Sequence, residues 1–212
     1  MKAIKVIVLL ATAGLVSACA DARIASRNAS FETINPGAIA ATPSFAVADI
    51  RVQVPKSLRV SEANSYYPSG DIVWRGEPLG DRHQQVAQLM YDGLSKGAAD
   101  INGAYPVDLV VEVQRFHGVT EKARYSIGGV HNIVFALDVL DPTTGAPLRE
   151  RSIVSADLRA YGGLEAIAAD GRGETQRVRI EAHLAKVIQD ELTKPEGYEN
   201  SRLGLMQQLN RL

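Results

Sequence analysis

The chain has 212 residues, 46% of them hydrophobic and 22% charged, the balance of a folded domain and not of a disordered or fibrous chain. Its 23 basic and 24 acidic residues give a net charge of −1, which supplies no field for nucleic acid or an anionic membrane surface. One cysteine cannot build a disulfide framework, so the apolar core has to hold the fold.

The first predicted element is an export signal. Lys2 and Lys5 precede an apolar run from Val6 to Val16. That run is about half of the roughly 20 residues a membrane-crossing helix needs, so it reads as the core of a secretory signal. Val16-Ser17-Ala18-Cys19 follows: a branched apolar residue, two small residues, then the lone cysteine. These four residues resemble the lipobox of bacterial lipoproteins. The resemblance implies a diacylglyceryl group on Cys19, cleavage before it, and acylation of the new amino terminus, with palmitate as an expected acyl chain. Residues 1–18 are then the signal peptide. Their removal deletes Lys2 and Lys5 and leaves 21 basic against 24 acidic residues, a charge of −3. Ala20, not aspartate, follows the cysteine, which points to the outer membrane, facing the periplasm.

Residues 19–44 read as the lipidated cysteine and a flexible tether. They are rich in Ala, Ser, Thr and Asn, broken by Pro36-Gly37 and Pro43, and lack a sustained apolar period. A domain over 45–195 follows. Ala46, Ala48, Ile50, Val52 and Val54 alternate with Val47, Asp49, Arg51 and Gln53, the period of a strand with one buried face, which Pro55 ends. A short extended piece is expected at Asp71-Ile72-Val73-Trp74, after a long loop from Ser61 to Gly80 that holds Tyr66-Tyr67-Pro68. Asp81, with Gln84 three positions on, opens a helix whose Val86, Leu89, Met90, Leu94 and Ala98 share a face and whose end is expected at Gly97.

Three strands come next. Val107, Leu109, Val111 and Val113 mark one, and Ile133, Phe135, Leu137 and Val139 a second. The turn sequence Asp141-Pro142-Thr143-Thr144-Gly145 leads to a third, from Leu148 to Tyr161, with Val154, Ala156, Leu158 and Ala160 on one face. A short helical piece is expected from Leu164 to Asp170. A long helix with the stripe Ile180, Leu184, Val187, Ile188 and Leu192 follows, and Pro195 stops it. The tail 196–212 places Leu203, Met206, Leu209 and Leu212 roughly on one helical face. The order strand, helix, three strands, helix predicts an α+β fold: a mostly antiparallel sheet with two long helices packed on one face.

The stretch from Tyr66 to His83, with Asp71-Ile72-Val73-Trp74-Arg75-Gly76 and Gly80-Asp81-Arg82, resembles an uncharacterised proteobacterial envelope lipoprotein family known as a domain of unknown function. Together with the lipobox and tether, the element order is also similar to auxiliary lipoproteins of envelope transport and cell-wall synthase complexes. The resemblance implies architecture and envelope location, and carries no active site.

No catalytic residue, metal ligand or cofactor is predicted. His83, His117, His131 and His183 show no metal-ligand spacing and are expected at the surface or at hairpin ends, although His117 and His131 flank one loop. Ser126, before Ile127-Gly128-Gly129, lacks the nucleophile-elbow pattern. Gly171-Arg172-Gly173, with Arg177 and Arg179, is expected to be a helix entry with solvated arginines, and Asp138, Asp141, Glu150, Asp157 and Glu165 are expected to be mostly solvated. The one cluster with the character of a binding surface is Tyr66, Tyr67 and Trp74, because exposed aromatics are enriched where partners dock. The reading is a non-enzymatic accessory or binding module, held on the membrane by its lipid and meeting an envelope protein partner. The alternatives are a small-molecule or lipid-binding lipoprotein with a groove between helices and sheet, and an envelope hydrolase.

Overall fold

In the computed structural model, residues 44–204 and Gln207 are described. The signal, Cys19 and the tether up to Pro43 lie outside the described residues; of the proposed tail helix, residues 201–204 are described and are not helical, and the rest apart from Gln207 lies outside.

Six strands form the sheet: β1 (Phe45–Gln53), β2 (Ile72–Val73), β3 (Tyr105–His117), β4 (Gly129–Leu140), β5 (Ser152–Ser155) and β6 (Leu158–Ala160). Four helices accompany them: α1 (Arg82–Ala98), α2 (Glu121–Arg124), α3 (Gly163–Gly171) and α4 (Gln176–Thr193). The main path runs β1-β3-β4-β5, with β2 beside β3 and β6 beside β4. Pairings β3–β4, β4–β5 and β4–β6 are antiparallel. β1 and β2 join β3 in parallel. The parallel edge follows from the order strand, helix, strand: α1 carries the chain back across the sheet, so β3 must run in the same direction as β1.

The expected stripes form the core. Val107, Leu109, Val111 and Val113 from β3 and Ile133, Phe135, Leu137 and Val139 from β4 are fully buried. Against them lie Val86, Leu89, Met90 and Leu94 of α1 and Ile180, Leu184, Val187 and Ile188 of α4. Asp81 caps α1 by accepting from the backbone N–H groups of His83 and Gln84. Thr175 caps α4 by accepting from Val178 N–H.

Three local expectations are corrected. In β1 the register slips between Val47 and Asp49, so Ala48 forms a bulge. Phe45 and Val47 therefore join Ile50, Val52 and Val54 on the core side, and Ala46 and Ala48 do not. Gly97 does not end its helix. It lies inside α1, where an added Cβ would sit 2.1 Å from the Ala185 carbonyl oxygen. Gly93, four residues earlier, meets Leu184 and Glu181 of the same helix at about 3 Å. The two glycines are the flat strip on which α1 and α4 touch.

The expected third strand is two pieces. β5 pairs with Val134–Leu137 and β6 with Gly129–His131. Between them Asp157 turns inward and is fully buried, which corrects its expected exposure. Its carboxylate accepts from Asn132 Nδ2 at 2.5 Å, Asn200 Nδ2 at 2.9 Å and Gln207 Nε2 at 2.5 Å. Asn200 Oδ1 accepts from the Asp157 backbone N–H. A buried carboxylate is tolerated only with such partners, and here they tie the residues after α4 to the break in the strand.

Candidate functional site

The loop from Ser61 to Gly80 is long, yet side chains hold it in place. Arg82, only 5% exposed, donates to Glu62 through Nε (2.6 Å) and Nη2 (3.1 Å). Arg75 donates to the Glu62 carbonyl and pairs with Glu121 at the start of α2. The Arg82 hydrogen bond holds the Glu62 carboxyl below the usual carboxylate range, and Arg75 does the same for Glu121. Thr120 Oγ1 donates to the Ser65 carbonyl at 2.8 Å, and Lys122 N–H donates to Asn64 Oδ1 at 2.8 Å.

This bracing presents the tyrosines. Tyr66 is 42% and Tyr67 53% exposed, while Pro68 between them and the sheet is buried. The Lys122 ammonium lies 4.8 Å from the Tyr66 ring centroid, a cation–π contact that fixes the ring without covering it. Tyr66, Tyr67 and Ile127 rim a recess of about 20 Å³, room for about one water-sized group. Ile127 is 64% exposed. Ala123, Val119 and His117 are among the residues below. Gly162 packs directly on Ile127 and Gly128, which brings the exposed Leu164 of α3 to the same end of the molecule.

Trp74 does not belong to this surface. It is 1% exposed, donates from Nε1 to Glu77 at 3.2 Å, and packs edge-on against Phe116 at 5.6 Å between ring centroids. Gly76 and Gly118 lie flat on its ring. Its place as a partner contact is therefore corrected: it is the buried footing of the loop.

His117 and His131 are also buried, contrary to the surface or hairpin-end positions expected for them. His131 Nδ1 accepts from Val119 N–H at 3.4 Å, and burial pushes its pKa down to about 3. Burial takes His117 to about 4, so its ring is neutral at physiological pH. The ring is among the groups lining the recess and lies within hydrogen-bond reach of the Pro68 backbone. No group of three or more His, Cys, Asp or Glu among the described residues could hold a metal ion. Ser126 Oγ donates to the Lys122 carbonyl.

Arg172 is exposed, as expected, while Arg177 and Arg179 are partly buried and engaged. Arg172 pairs with Glu174, and Arg177 bridges Glu77, Asp92 and Glu181. Arg179 donates to the Arg159 carbonyl and stacks 3.5 Å over the Tyr161 ring.

Residues 45–208 match the model of a family of unknown function, DUF6778. The chain belongs to the DUF6778 family. No curated protein matches this DUF6778 chain. A solved structure of a candidate lipoprotein from Caulobacter crescentus CB15 is similar at 15% identity and a TM-score of 0.31, covering 73% of this chain and 91% of that one. A variant of PelC from Paraburkholderia phytofirmans, crystallised as a dodecamer, is similar at 12% identity and a TM-score of 0.29, covering 68% of this chain and 88% of that one. At such TM-scores neither likeness bears on what the DUF6778 chain does. No helix among the described residues is long and apolar enough to cross a membrane.

Proposed function

We propose that this DUF6778 protein is a lipid-anchored envelope accessory protein, not an enzyme, that binds a protein partner in the periplasm, with the outer membrane as its site of attachment. Val16-Ser17-Ala18-Cys19 and the short apolar run before it support the anchor and its location. The observation that carries the binding role is the braced, exposed rim of Tyr66, Tyr67 and Ile127 around a recess that His117 helps to line. Tyrosine offers a broad apolar face and a polar tip, which suits a surface wet before docking and dry afterwards. Because the loop is already fixed, little ordering entropy is lost when a partner covers it.

The test uses Tyr67→Ala and Ile127→Ala in cells, with crosslinking of intact envelopes and recovery of the protein. Each exposed side chain should cost less than about 0.5 kcal/mol of stability, as at ordinary surface sites. Each should lower crosslink yield to a specific partner by about fivefold or more, the loss of an anchor worth about 1 kcal/mol or more. Lower melting temperatures with unchanged yield per folded molecule would instead mean that the rings brace the loop, and would overturn the binding role.

A further inference from the structure

The outer edge of β1 is a second surface with a specific chemistry. β1 is the end strand of the sheet. Asn102 and Gly103 cover its outer side at Ala46 and Phe45, and beyond Val47 no strand among the described residues pairs with that side. An open edge is a template for another strand. Beside it runs a groove between β1 and α1. One part, of about 610 Å³, is lined by Val52 with Gln84, Gln88 and Tyr91, and the other, of about 190 Å³, by Asp49 and Ile50 with Tyr91 and Ser95. Tyr91 lies in both and is 45% exposed.

The edge is self-complementary. After the bulge at Ala48, Asp49 and Arg51 stand on the outer face of the sheet with side chains 57% and 53% exposed, and Ile50 points to the core between them. Consider two β1 strands paired antiparallel about a two-fold axis perpendicular to the sheet. This symmetry keeps both helix layers on one side, so inward residues must oppose inward residues. Centring the axis on Asp49 sets carboxylate against carboxylate, and centring it on Arg51 sets guanidinium against guanidinium. Centring it on Ile50 sets Asp49 opposite Arg51 of the second copy, twice, with directly opposed Cβ atoms about 5 Å apart. The present partners of Arg51 are Asp49 at 3.8 Å and the largely covered Asp108 at 3.1 Å, and the Arg51 side chain stays 53% exposed beside them. The same axis places Tyr91 of both copies on the helix side of the seam.

We infer that the uncovered part of β1, from Ala48 to Val52, joins the same segment of a second copy of this chain in antiparallel register centred on Ile50, making one continuous sheet across a symmetric dimer. This surface is separate from the tyrosine rim, so the dimer stands or falls independently of the partner-binding role.

The test uses the mature, lipidated chain purified in detergent. Light scattering should give a dimer of the protein component. Arg51→Asp places four carboxylates at the seam and should raise the dimer dissociation constant about tenfold or more. The exchanged pair Asp49→Arg with Arg51→Asp should restore it, which a merely misfolded variant would not do. The double variant Asp49→Cys with Arg51→Cys should form a disulfide between copies on oxidation. Cys19 is the chain's only native cysteine and its sulfur is acylated in the proposed mature form, so the engineered link would be unambiguous. Peptide mapping should join position 49 to position 51, while either single cysteine links poorly. A wild-type monomer, a dimer indifferent to Arg51→Asp, or a double variant that crosslinks no better than the single ones would overturn the inference.

Discussion

His117 and His131 carry a consequence that can be read in solution. Burial holds both neutral, with pKa values of about 4 and about 3 against 6.5 when unfolded. A group whose folded pKa lies below its unfolded one stabilises the fold fully above the unfolded value and loses that contribution as pH falls towards the folded value. Stability should therefore drop between about pH 6.5 and about pH 4 by about 1.4 kcal/mol per pH unit for each histidine. Burial lowers His183 as well, which acts with the same sign. Urea unfolding across this range should show the slope, and His117→Gln should reduce it by about one proton's worth; a flat profile would contradict the buried, neutral assignment. The tyrosine pair was legible because two adjacent residues on an extended chain cannot both point inward. The face that Trp74 shares with Ile72 already pointed to a core position for it, whereas the burial of His117 and Asp157 was not legible. Asn132, Asn200 and Gln207, which receive Asp157, are distant from it in sequence. No local pattern announces such meetings.

Gly97 gives the sharpest test among the elements. Alanine is the better helix former by about 1 kcal/mol, so propensity alone makes Gly97→Ala stabilising. The new methyl would instead lie 2.1 Å from the Ala185 carbonyl oxygen, and α1 and α4 would have to part. Gly97→Ala should cost about 1–3 kcal/mol in urea unfolding. Gly171→Ala, at the end of α3 with nothing within 4 Å of its added Cβ, should be neutral or stabilising by up to about 1 kcal/mol. Equal effects at both positions would mean that the glycine strip is not a packing surface. Apolar stripes and capping residues were enough to find both long helices and strands β3 and β4, because each buries a single face at a regular period. The phase of β1 was ambiguous since Ala46, Val47 and Ala48 are all apolar, and only pairing with β3 selects Val47. The division of β5 from β6 depends on the inward turn of Asp157 and the distant amides that receive it, so a sequence of alternating residues read as one strand.

For the whole molecule, the proposed lipid on Cys19 would decide where everything else operates. Each buried methylene contributes about 0.8 kcal/mol, and one acyl chain binds only marginally, whereas two or three on one cysteine hold almost permanently. A symmetric dimer would carry two such anchors, and the second would insert at high effective concentration once the first is seated. The roughly 25 residues between Cys19 and Phe45 span up to about 80–90 Å if extended, enough to let a domain meet partners away from the bilayer. Cys19→Ala should abolish acylation and move any processed chain to the soluble fraction of the periplasm, with the domain still folded, because its core holds no cysteine. Intact-mass measurement of membrane-purified wild type should find a chain that begins at residue 19 and carries the added mass of a diacylglyceryl group and an amide-linked acyl chain. An unmodified cysteine on the membrane-bound protein would remove the anchor. The partner surface and the dimer edge, which rest on the domain alone, would then have to be tested wherever the protein is found.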